Sequence, residues 1–124
     1  MDIKIAAIGF MPEVIPEISK ITEVWNEVFS KVTSSDTEVD TLWLDPKYGD
    51  MYFSCKYSYF GVRNAFFIAD RALQAEREGY DAAALSAFSE WGVRQALMAC
   101  NIPVTDGVRA PIFSGLHQYK LFLL

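Results

Sequence analysis

Four short apolar runs, each separated from the next by a stretch of helical periodicity, constrain this chain more than any other feature. Residues 3–8, Ile-Lys-Ile-Ala-Ala-Ile, are too short for a free-standing helix and read as a strand buried on both faces, ended by Gly9. Pro12 and Pro16 are expected to forbid further sheet pairing. Ile18, Ile21, Trp25, Val28, Phe29 and Val32 then recur at three- and four-residue steps, which predicts a helix over about 16–32. Thr37 to Leu44, rich in β-branched and large apolar residues and stopped by Asp45-Pro46, reads as the second strand.

From Lys47 to Gly61 aromatic residues crowd the chain without a period of either kind; their rings could form a lid over an apolar substrate, but are expected to pack against the sheet or a second subunit. Val62, Ala65, Phe66, Ala69, Ala72 and Leu73 restore the helical spacing, so a second helix is expected to run to about Glu78, with Gly79 as a left-handed cap. Ala82 to Phe88 reads as a third strand, Ser89 as the cap of a helix from about Glu90, and Asn101 to Val104 as a fourth strand beginning at a proline. Tyr119 to Leu124 resembles one more strand, inside which the chain halts. Strands alternating with helical crossovers imply an α/β fold: an open parallel sheet of four to five strands with helices on both faces.

Composition narrows the function. With 124 residues, of which 52% are hydrophobic, the chain is expected to form one domain with a real core. Eleven Lys and Arg against 16 Asp and Glu give a net charge of -5, and no basic stretch is present to follow a phosphate backbone, so nucleic acid is not an expected partner. No run is long enough to span a membrane, and Asp2, Pro12 and Glu13 interrupt any signal-peptide core, which points to a cytoplasmic protein. Cys55 and Cys100 are too far apart in sequence for a metal knuckle and are expected to be reduced thiols, Cys100 in the core. No metal or other cofactor is expected. His117, the only histidine, has no Ser, Asp or Glu at a motif spacing and is expected on the surface.

Ligands of open parallel sheets bind beyond the carboxyl ends of the strands, where backbone N–H groups stand free beside helix N-termini. In this chain those segments are Gly9-Phe10-Met11, Asp45 to Gly49, Ala87-Phe88-Ser89-Glu90 and Thr105-Asp106-Gly107. Gly9 could let an anion approach the backbone, although a glycine ending a strand is also ordinary turn chemistry. Ser89 could bind a carboxylate while still serving as an N-cap. No G-x-G-x-x-G follows the first strand, so a dinucleotide is not indicated. A receiver-type signalling domain would need acidic residues where Gly9-Phe10 and Ala87-Phe88 stand.

The stretch from Ala75 through Glu76, Gly79-Tyr80-Asp81-Ala82 and Ala87-Phe88-Ser89-Glu90-Trp91-Gly92, followed by Ile102-Pro103-Val104, resembles the aspartate/glutamate/hydantoin racemase superfamily. The family pattern is approximately A-E-x-x-G-Y-D-A, a hydrophobic run, C-F-x-D-P-G, then a helix and I-P-V. Lys4 to Gly9 also looks like that family's opening strand. The resemblance implies a cofactor-independent racemase of amino acids or hydantoins, built from two similar lobes that each supply one cysteine. One thiol takes a proton from the stereocentre and the other returns one on the opposite face.

In this chain Ala87 occupies the first thiol position, Glu90 stands where the family has Asp, Trp91 where it has Pro, and Arg109 about where an acidic residue follows I-P-V. Residues 1–124 are thus expected to be a single racemase-like lobe, truncated at its C-terminal end, with neither catalytic thiol retained. Cys55 and Glu90 are the local candidates for a substitute base. Gly9, Phe10, Met11, Ala87, Phe88, Ser89 and Thr105 are the expected contacts to a small carboxylate or hydantoin-like ring. The alternative is a non-catalytic carboxylate-binding or assembly module. The apolar edge Leu121 to Leu124 points to a homo-oligomer, or to a second lobe supplied from elsewhere.

Overall fold

The computed structural model describes residues 2–48, 58–86, 92–112 and 114. In chain order the elements are β1 (Ile3–Pro12), α1 (Ile18–Val32), β2 (Thr37–Leu44), a 3-10 turn (Pro46–Tyr48), α2 (Ser58–Arg77), β3 (Ala82–Leu85), α3 (Val93–Ala99) and β4 (Val104–Asp106). The four strands form one sheet in the order β2-β1-β3-β4. Every pairing is parallel, with Ala7 opposite Thr41 on one side and Ala84 on the other, and Ala84 opposite Thr105.

The period of two along each strand divides the helices between the faces. Ala6, Ile8, Leu44, Ala83, Leu85 and Val104 point to one face and form a core with Ile68, Ala69, Ala72 and Ala75 of α2 and Val93 and Ala96 of α3. The alanines let α2 lie close on the sheet. Thr41 and Trp43 point to the other face and meet α1: the Trp43 indole Nε1–H donates to Thr22 Oγ1 at 2.8 Å, and the Trp25 and Trp43 rings stand 5.0 Å apart. Helices therefore cover both faces of an α/β sheet. That division follows from strand order, because right-handed crossovers that run outward from β1 to β2 and the opposite way from β3 to β4 place their helices on opposite faces.

Several boundaries differ from those expected of the sequence. β1 does not stop at Gly9; after an irregularity beyond Ile8 it rejoins β2 at Pro12, which pairs with Leu44. Pro12 is tolerated because β3 has already ended there, with the Ser86 N–H donating to the Ile8 carbonyl, so no ladder hydrogen bond is demanded of the proline nitrogen. α1 starts at Ile18, after Pro16. α2 reaches back to Ser58, through the end of the aromatic segment that showed no period, and ends at Arg77, with Gly79 at φ +90° as the expected left-handed cap. β3 stops at Leu85 rather than Phe88.

α3 starts at Val93, not near Glu90, because its N-cap Gly92 holds φ at +80°, outside the helical region. β4 covers Val104–Asp106 rather than 101–104: the Asn101 N–H donates to the Glu76 carboxylate instead of a strand, and the ladder to β3 opens with the Pro103 carbonyl accepting from Ala83. Residues 109–112 are helical. The expected last strand, Tyr119 to Leu124, and the tail residue His117 lie outside the described residues.

Candidate functional site

Strand order locates the site before any side chain does. β1 connects outward to β2 and β3 connects the other way to β4, so the direction reverses between β1 and β3, and their carboxyl ends flank the crevice where such sheets hold ligands. Ser86 binds the two strand ends together, its N–H and its hydroxyl both donating to the Ile8 carbonyl, at 3.0 and 2.9 Å.

Of the expected contacts, Gly9, Phe10 and Met11 lie together at this end of β1. Gly9 is an internal strand residue, and its missing side chain is accounted for by Trp43: a β-carbon on Gly9 would stand 2.2 Å from two atoms of the indole ring. Phe10 is half-buried against the core, and Met11 is half-buried beside it. Thr105 is not a loop residue; it pairs with Ala84 within the sheet and is half-buried. Ala87, Phe88, Ser89 and Glu90, like Cys55, lie outside the described residues.

Three groups at this end are ones the sequence did not single out. Asp106, buried at the end of β4, accepts from the Val108 N–H at 2.9 Å and from the Arg109 N–H through Oδ1, capping the helical turn that follows. Its Oδ2 makes no hydrogen bond among the described residues and lies 3.6 Å from Arg109 Nε. Asn64 of α2 is a buried amide, 2% exposed. Gly92 brings the start of α3 onto α2 so closely that a β-carbon would lie 2.7 Å from the Ala65 carbonyl oxygen and 2.8 Å from Ile68 Cβ. The readable signals were an Asp-Gly pair ahead of a turn and a glycine directly before a helical period.

The Gly79-Tyr80-Asp81 segment, which carries much of the family resemblance, lies at the opposite, amino end of the sheet. Asp81 clasps β1 there: its carboxylate accepts from the Lys4 N–H, and its own N–H donates to the Lys4 carbonyl, both at 2.8 Å. The Tyr80 hydroxyl donates to Asp40 Oδ2 at 2.8 Å, and burial together with that carboxylate pushes its pKa up to about 12. This part of the motif fastens α2 to the sheet and does not touch the crevice.

Cys100 closes α3 at the amino end, its N–H donating to the Ala96 carbonyl, and burial followed by the nearby Glu76 charge raises its thiol pKa. Cys100 therefore lies at the end of the sheet opposite the candidate site. Beside the outer edge of β2 a separate cleft of about 170 Å3 is lined by Leu44, Asp45, Lys47, Phe67, Asp70 and Arg71. Arg71 serves the edge strand there, donating from Nε to the Trp43 carbonyl at 3.1 Å. Among the described residues no cluster of three or more His, Cys, Asp or Glu could hold a metal, and no helix is long and apolar enough to cross a membrane.

No protein-family model matches the sequence, and no curated protein matches it. Among solved structures the chain is similar to the allantoin racemase from Klebsiella pneumoniae, with a TM-score of 0.69 and 15% sequence identity over 94% of this chain. It covers 44% of the racemase, less than half of that protein's length. At this identity the likeness establishes a shared fold.

Proposed function

We propose that this chain is a racemase-type lobe that binds a small carboxylate or hydantoin-like ring at the carboxyl ends of β1, β3 and β4, with its proton-transfer chemistry impaired. The observation that supports this most directly is the match in shape to an allantoin racemase over 94% of the chain. The sequence resemblance to racemases of amino acids and hydantoins points the same way. Gly9, Phe10 and Met11 from β1, Thr105 from β4, and Ala87, Phe88 and Ser89 after β3 are the contacts this reading assigns. Residues 1–124 act in it as one lobe, and a second lobe or second copy closes the crevice.

The chemistry of such a lobe requires no cofactor. A base takes the proton from the stereocentre, the electron pair passes into the adjoining carbonyl, and an acid on the opposite face returns a proton to carbon. Ala87 stands where the resemblance places the first thiol, and an alanine carries no exchangeable proton. Binding is therefore retained and racemisation lost, unless Cys55 or Glu90 takes over as base. This same substitution favours the second reading, a binding module that never turns its ligand over.

Calorimetry with aspartate, glutamate and 5-substituted hydantoins, paired with solvent deuterium exchange at the stereocentre, tests both. Saturable binding without exchange above background is the expected result. Exchange abolished by Cys55→Ala or Glu90→Gln would restore catalysis to the chain, and silence across the panel would overturn the ligand reading altogether.

A further inference from the structure

The outer face of α1 is apolar and uncovered among the described residues. Of its fifteen residues only Ile18 is buried, while Val24, Val28 and Val32 are 57%, 49% and 72% exposed. At 3.6 residues per turn, Val24, Val28, Ile21, Val32 and Trp25 fan over a sector about 100° wide, next to the side that Thr22 and Asn26 hold against the sheet. A shallow groove of about 440 Å3 runs along it between Glu17, Lys20, Ile21, Val24 and Trp25. The exposed apolar residues are contiguous on one helix face and not scattered singly.

The charges at its ends select the occupant. Glu17 and Lys31 each stand seven residues from Val24, one towards each end of the helix, and within about 20° of it around the axis. We propose that this face joins two copies of the chain, with the two α1 helices antiparallel and a twofold axis passing beside Val24. That operation is self-complementary: it stacks valine on valine at the centre and brings Glu17 opposite Lys31 of the partner subunit at both ends. A parallel pairing would set Glu17 on Glu17 and Lys31 on Lys31. Lys31 also pairs with Glu27 within its own helix, so in the dimer its ammonium is shared between Glu27 and Glu17 of the partner subunit.

The strip also sets the strength. A helix about 22 Å long and 10 Å wide offers far less than the roughly 800 Å² per partner of a stable interface, so association is weak and concentration-dependent. Sedimentation of the full chain from micromolar to millimolar concentration should show a reversible monomer–dimer equilibrium. Val24→Asp, which places two carboxylates face to face on the axis, should raise the dissociation constant at least about tenfold. Glu17→Lys and Lys31→Glu should each weaken the dimer about fivefold, and the double exchange should restore it. Circular dichroism confirms that each variant folds. A monomer at every concentration overturns the proposal, as does a dimer that ignores Val24→Asp or a double exchange that fails to restore association.

Discussion

Gly9 and Trp43 meet across neighbouring strands with no room for a β-carbon, which would fall 2.2 Å from the indole ring. The ring cannot simply swing away, since its Nε1–H is bound to Thr22 and its face lies against Trp25. Gly9→Ala is therefore expected to cost about 1–3 kcal/mol, as overpacking does. Chemical denaturation measures it, and in a Trp43→Ala background most of the penalty should disappear. An unchanged midpoint in the single variant would mean that the contact relaxes freely.

Gly92→Ala meets two obstacles at once, a φ of +80° and a backbone oxygen of α2 at 2.7 Å. A loss of about 1–3 kcal/mol is expected. Hydrogen exchange should report it most strongly at the Ala96 and Cys100 amides of α3. Uniform loss across the sheet would place the damage elsewhere.

Tyr80 makes stability fall in alkali. Its folded-state pKa is raised from the ordinary value near 10 to about 12, so between those values the unfolded chain releases a proton that the folded chain keeps. The contribution is complete below pH 10 and is lost as pH rises towards 12. Tyr80→Phe should flatten that part of the stability profile, whereas an identical slope in wild type and variant would contradict the assignment.

Asp106 caps the turn after β4 through Oδ1, and Asn keeps that acceptor while Ala does not. Asp106→Ala should lose about 1 kcal/mol, and Asp106→Asn should retain the amide protection of Val108 and Arg109. Equal loss of protection in both would show that the charge facing Arg109, and not the cap, holds the turn.

The fold was legible wherever local chemistry decided it. β2 is bounded as read because Asp45-Pro46 stops a β-branched run, and Gly79 caps α2 because a left-handed residue was needed there. Errors fell where a distant segment decided. Pro12 stays in the sheet only because β3 has ended beside it, and β4 starts late because Glu76 captures Asn101. The candidate site is expected beyond the carboxyl ends of the strands, and the structure brings the ends of β1 and β3 together there. Its residues are less legible: the space Gly9 leaves is filled by a tryptophan of the neighbouring strand, and Asp106 is not recognisable as a cap when β4 is expected to end at Val104.

The proposed ligand site is tested most directly by mapping backbone amide shifts as a 5-substituted hydantoin is titrated into the labelled protein. Saturable perturbations at Phe10, Met11, Ser86 and Thr105, with the amino-end clasp of Lys4 and Asp81 unmoved, are expected. Shifts confined to Lys4, Asp40 and Asp81, or no shifts up to the solubility limit of the hydantoin, would contradict a binding site at the carboxyl ends of the strands.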